Sequence, residues 1–261
     1  GPLCLVESAA LFFTGLLGFL EIRHYMTGGN AYVSSDTLGE MALDVCFGFG
    51  FAIVLENIRE RTLSVVHNVG ALIVTGLTLL GVAIGLGVAY NPAFSSEPVG
   101  GLVFNTILLG YGVTAVLAAY LALITRETRP RWHSVILAIV AVALALGYLS
   151  LQVMRVYHGP NLTEGPFTDA EQYTYSAVWL AFGVVLLAAG IYLRSLPLRI
   201  ASAAVVLLTV FKVFFFDMSD LTGIYRALSF IGLGAVLMGI GWFYQRLLFP
   251  RKPPLGDSAT T

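Results

Sequence analysis

Eight stretches of the chain are almost continuously apolar, and each is close to the length that a hydrocarbon layer imposes. A core of roughly 30 Å takes about 20 helical residues. The runs cover residues 8–26, 38–57, 66–90, 101–124, 132–156, 171–194, 198–216 and 222–248. Turn formers or charges separate them: Gly28-Gly29-Asn30, Arg59-Glu60-Arg61, Asn91-Pro92, Arg129-Pro130-Arg131, Gly159-Pro160-Asn161, Ser195-Leu196-Pro197 and Met218-Ser219-Asp220. The runs lack the alternation of barrel strands, and in lipid a helix is the remaining way to satisfy every backbone group internally. The pattern predicts an all-α integral membrane protein with eight transmembrane helices.

Composition sharpens this. With 57% hydrophobic residues, 11% charged and a mean hydropathy of +0.85, a soluble globule is excluded. The 14 basic and 15 acidic residues leave a net charge of −1, so no basic field exists to attract nucleic acid. The bilayer itself is the first partner. Gly1-Pro2 resembles a protease scar, and the apolar register already runs at Leu3, which predicts a piece trimmed from a longer protein. Residues 251–261 have nothing to bury and predict a flexible cytoplasmic tail.

Charge also sets the orientation. Ten of the fourteen basic residues fall on one side: Arg59, Arg61, Arg126, Arg129, Arg131, Arg194, Arg199, Arg246, Arg251 and Lys252. That side is expected to be cytoplasmic, with both termini there. Arg23, Arg155, Lys212 and Arg226 fall on the other side among ten carboxylates. Cys4 and Cys46 lie at different depths, so no disulfide is expected.

Two stretches recur with fixed spacing. Gly28 and Glu40 are twelve apart in a stretch opening EIRHYMTGG, and Gly159 and Glu171 are twelve apart in one opening QVMRVYHGP. Gly101, Gly110 and Gly112 return as Gly223, Gly232 and Gly234. This predicts two four-helix repeats, 3–128 and 129–250, parallel because an even number of spans returns the chain to its starting side. Gly81 with Gly85, and Ala235 with Gly239, have the spacing of closely packed helix faces.

Charges inside spanning helices cost about 2.5–3.5 kcal/mol each at the helix centre, so they need a partner or a purpose. Arg23 and His24 end the first span, and Glu40 and Asp44 share a face at the start of the second. Arg155 and Glu171 stand at comparable places in the second repeat, which adds Lys212, Asp217 and Arg226. One reading is ion pairing alone: Lys212 with Asp217, Asp44 or Glu171, and Arg226 with Asp220 or Glu40. The other is that these nine residues line a periplasm-facing polar pocket for a small polar or lipid-linked solute, in a binding or translocation module. Alternatives are a transferase acting on envelope glycan or lipid, with Glu40, Asp44 or Glu171 as general base, and a scaffold gathering membrane-protein partners on its glycine-lined faces. Neither CxxC nor HxxxH occurs, and no metal or cofactor is expected. His67 and His133 are expected at cytoplasmic headgroups, and Tyr173, Tyr175 and Trp179 in an interfacial aromatic belt.

The stretch KVFFFDMSDLTGIYRALSFIGLGAVLMGIGWFYQR, with EIRHY, NTILLGYG near Asn105 and EQYTYSAVWLAFG near Glu171, resembles the bacterial predicted-membrane-protein family known as domain of unknown function 2339. The most specific part is the succession of Lys212, Val213, Phe214, Asp217, Leu221, Gly223, Arg226, Ser229, Phe230, Gly232, Leu233 and Gly234. The resemblance implies residence in a bacterial inner membrane and correspondence to the C-terminal portion of a longer, many-spanning protein. It transfers no catalytic residue.

Overall fold

Among the described residues, apolar runs bounded by turn residues become helices along most of their length. The computed structural model describes residues 2–30, 32–62, 64–217 and 224–248, and every regular element among them is helical. In chain order these are α1 Pro2–Met26, α2 Leu38–Thr62, α3 Val65–Leu80 with a π-helical continuation Gly81–Ala89, and α4 Thr114–Ile124 preceded by a π-helix Leu108–Val113. Then come α5 Arg131–His158, α6 Asp169–Tyr192, α7 Leu196–Lys212 continuing as a π-helix Val213–Asp217, and α8 Ile224–Leu248. Six of them, counting continuations, are long and apolar enough to cross a membrane: α1, α2, α3, α5, α6 and α7. The expected tail at 251–261 lies outside the described residues.

The fourth apolar run departs from expectation. Its helical part, Leu108–Ile124, is shorter than the other spans, and residues 101–104 form a bend instead. Asn105 is the reason. Its Nδ2 donates to the carbonyls of Gly101 and Leu102, its Oδ1 accepts from Leu108 N at 2.8 Å, and it bridges back to Gly100, whose φ of +93° suits glycine. One amide side chain thus stops the bend and starts the helix.

The chain divides into two compact units, Gly1–Phe167 and Thr168–Thr261. The first holds α1 to α5. Its buried centre includes Phe49, Leu86, Ile107, Tyr111, Leu121 and Leu137. Close helix approach is bought with glycine: a Cβ on Gly48 would stand 2.3 Å from Thr78 Oγ1, one on Gly85 2.5 Å from Met41 Cε, and one on Gly18 2.0 Å from the Phe47 ring. The Gly81 and Gly85 spacing is therefore a packing face for α2. Much of α1 faces outward with exposed leucine, valine and phenylalanine, as a lipid-contacting helix does.

In the second unit α6 and α7 pack through Gly183 and Gly190, and Ser202 Oγ donates to Gly183 O at 2.6 Å while bonding Tyr244 of α8 at 2.7 Å. The unit boundary falls after α5, which packs along α4, whereas the expected repeat boundary stood at residue 128. The starts of α2 and α6 carry the same cap. Thr37 Oγ1 accepts from Glu40 N at 3.2 Å and Thr168 Oγ1 from Glu171 N at 3.2 Å, each a Thr-x-x-Glu helix start.

Candidate functional site

The first polar group forms where α1 ends and α2 begins. Arg23, in the last turn of α1, donates Nε to Glu40 Oε1 at 3.1 Å. Glu40 Oε2 accepts from Ser35 N at 2.7 Å and Ser35 Oγ at 2.6 Å, so both carboxylate oxygens are occupied. The Arg23 side chain is 40% exposed against 6% for Glu40, and its terminal guanidinium nitrogens make no hydrogen bond among the described residues. One turn inward, Asp44 has a buried Oδ1 without a partner. Around the rim, Glu97 Oε2 accepts from Leu38 N at 3.1 Å, serving a free donor of the α2 N-terminus. Tyr90 donates to Asp36 at 3.3 Å; burial, then the Asp36 charge, raises its phenol above the usual tyrosine range. Arg155 reaches the same end of the unit, where Nη2 donates to Gly100 O at 2.7 Å.

The second group lies in the other unit, at the π-helical end of α7. Lys212 Nζ donates to Asp217 Oδ1 at 2.6 Å, to Ser176 Oγ at 2.8 Å and to Gln172 O at 3.0 Å, which uses all three ammonium protons. Asp217 also accepts from Gln172 Nε2 at 3.1 Å and from the Ser176 hydroxyl. Five residues span about 1.4 turns of α-helix, which would set Lys212 and Asp217 on different faces. The π-helix Val213–Asp217, with its i to i+5 ladder, brings them together. Next to Gln172 on α6, Glu171 is buried and accepts from Tyr175 Oη at 3.0 Å.

A third group closes the opposite end of the first unit. Glu56 is buried on α2 and takes Arg59 Nε at 2.8 Å and Arg129 Nε at 2.8 Å. Arg129 also holds Asn68 through Oδ1 at 2.5 Å and through the backbone carbonyl at 3.0 Å. The segment before α5 is thereby tied to α2 and α3. His133 is 5% exposed here, and neither ring nitrogen has a hydrogen-bond partner among the described residues.

A family model described as "Predicted membrane protein (DUF2339)" matches residues 3–247. The chain belongs to the DUF2339 family. No curated protein and no solved structure matches it. DUF2339 membership makes this a membrane protein with several apolar helices, and it assigns no activity.

Of the residues singled out in the DUF2339 sequence, Arg23, Glu40 and Asp44 gather in one unit, and Lys212 and Asp217 meet in the other. Arg155 bonds a backbone carbonyl in the first unit rather than a carboxylate. His24 is exposed and bonds neither Glu40 nor Asp44 among the described residues. The Arg226 side chain and Asp220 lie outside the described residues. Among the described residues no three of His, Cys, Asp and Glu converge as metal ligands, and Cys4 and Cys46 are free thiols. One expectation is corrected. His133 is not at the headgroups, because the third residue of α5 turns into the bundle beside Glu56 and Arg129. The Tyr175 hydroxyl is donated to Glu171. Gln172, Ser176, Glu56 and Asn68 were not foreseen; the i, i+4 spacing of Gln172 and Ser176 on an apolar helix was a usable signal.

Proposed function

We propose that this chain is a membrane-embedded binding or translocation module whose periplasm-facing mouth takes a small polar or lipid-linked solute bearing an anionic group. The support is Arg23: its Nε is spent on Glu40, while its terminal nitrogens stand half-open at the mouth of the first unit and match the two oxygens of a carboxylate or phosphate. Ser35, Glu40 and Asp44 supply the polar floor. The clustering of ten Lys and Arg at the other connections supports a cytoplasmic face there and a periplasmic face at Arg23. In the second unit the closed Lys212, Asp217, Gln172 and Ser176 set is a further intramembrane polar site, each charge already compensated. Such groups in spans are characteristic of solute and ion pathways.

The test is native mass spectrometry of the full chain released from nanodiscs containing phosphatidylglycerol, with phosphatidylcholine as the neutral comparison. Arg23→Gln should lose retained anionic lipid while helical content and monodispersity persist. Equal retention by the folded variant, together with no uptake of any anionic solute into proteoliposomes, removes the reading.

A further inference from the structure

Asp44 stands apart from every other intramembrane acid described above. The contacts of α2 with α1 fix where it looks: Gly15 meets Phe51, Gly18 meets Phe47, and Arg23 meets Glu40. Residues 40, 44, 47 and 51 therefore form the α1-facing stripe, and Asp44 lies between the Arg23–Glu40 pair on one side and the Phe19–Phe47 ring pair, 5.1 Å between centroids, on the other. Its depth is about 6 Å below Glu40 at about 1.5 Å per residue. Its Oδ1 is buried and bonds nothing.

The neighbouring charges offer no relief. Glu40 on its own helix and Arg23 on α1 are the charged groups whose fields reach Asp44. The Arg23 charge is already balanced by Glu40. The π-segments Gly81–Ala89 and Leu108–Val113, packed on other faces of α2, carry Tyr111 as their one titratable side chain, and its hydroxyl is donated to Leu86 O. His67 and Tyr120, on α3 and α4, belong to the other half of the unit, and Cys46 turns its thiol to Leu109 O. A metal cation at Asp44 would need several ligands, and among the described residues no three of His, Cys, Asp and Glu converge there. A proton needs one oxygen.

We infer that Asp44 is a proton-binding site, a carboxyl that exchanges its proton with water entering at the half-exposed Arg23. It deepens the reading of this mouth as an anion site and rests on that reading for its purpose. With Asp44 neutral, the mouth carries one negative charge fewer beside the balanced Arg23–Glu40 pair, and an anionic solute meets less repulsion. With Asp44 ionised, the mouth carries an extra negative charge and repels the same solute. Proton uptake and anion entry therefore favour one another, as linkage requires.

The test needs no solute. A hydrophobic carbodiimide reacts with a carboxylic acid by taking its proton onto nitrogen while the carboxyl oxygen adds to the central carbon, so it marks acids that are protonated in apolar surroundings. The full chain in proteoliposomes is exposed to dicyclohexylcarbodiimide from roughly pH 5 to roughly pH 9, a window that brackets ordinary and perturbed carboxyl titration, and the adduct is placed by peptide mass spectrometry. Asp44 should carry the label, with its yield falling several-fold as pH rises, and Glu40 should not. Absence of label on Asp44 at every pH, a yield indifferent to pH, or equal label on Glu40 overturns the inference. Infrared spectra give a second measure: the protonated carboxyl band should be missing from folded Asp44→Asn, and its persistence there also overturns it. If Asp44 labels as expected but Arg23→Gln retains anionic lipid equally and no anionic solute enters proteoliposomes, the anion reading fails and the proton site stands.

Discussion

Replacing Arg129 by methionine removes a side chain that ties the start of α5 to both α2 and α3. The guanidinium is 5% exposed and its partner Glu56 3%, so solvent screens neither. Deleting one member of a buried ion pair costs about 3–5 kcal/mol, because the other charge is left desolvated. Arg59 still contacts Glu56 at 2.8 Å, which points to the lower end, about 3 kcal/mol, including the lost Asn68 bonds. Lysine, a point charge that cannot span Glu56 and Asn68 together, should lose about 1.5 kcal/mol. The assay is reversible unfolding in bilayer-like micelles followed by circular dichroism, with Glu56→Gln and the double variant completing a cycle. A coupling energy of about 1 kcal/mol or more is expected for groups in direct contact. If Arg129→Met unfolds within about 0.5 kcal/mol of the parent, the typical scatter of a surface change, the buried tie carries no stability.

Other outcomes follow from single contacts. Lys212→Met should destabilise the second unit by about 3 kcal/mol by stranding Asp217, and Lys212→Met with Asp217→Leu should recover most of it; a double variant no better than the single one contradicts a compensated pair. Gly48→Ala should cost about 1–3 kcal/mol, since the new methyl meets the β-branched Thr78 at 2.3 Å, and unchanged thermal unfolding would show that α2 and α3 part freely. Cys4 is exposed and Cys46 turns inward, so a membrane-impermeant maleimide should mark Cys4 from the cytoplasmic side of vesicles; labelling only from the periplasmic side reverses the orientation.

Length and hydropathy were enough to find the six helices that are long and apolar enough to cross a membrane, because lipid penalises every alternative for a long apolar run. They misplaced the start of the fourth helix, since Leu102, Val103 and Phe104 read as helix while the structure there depends on Asn105 bonding three backbone groups. Apolar side chains also say nothing about whether the ladder runs to i+4 or i+5, so the three π-segments left no trace in the pattern. The pairing of Lys212 with Asp217 was among the expected options, but Ser176 and Gln172 were not, being neutral residues some 40 positions away. Glu56 was hidden for a similar reason. It sits beside a cluster of exposed charges, and its main partner is 73 positions along the chain, a distance at which periodicity is silent.

The π-turn after Lys212 acts as one surplus residue in an otherwise α-helical rod. Deleting a single phenylalanine from Phe214–Phe216 would shorten the Lys212 to Asp217 separation to four, a spacing at which ordinary α-helix keeps two side chains neighbours. The ion pair would survive the deletion. Asp217 would keep its face, because the π-turn absorbs the extra residue instead of turning the carboxylate by the roughly 100° that one residue takes in an α-helix. A lone codon can thus be gained or lost there while the carboxylate goes on facing Lys212.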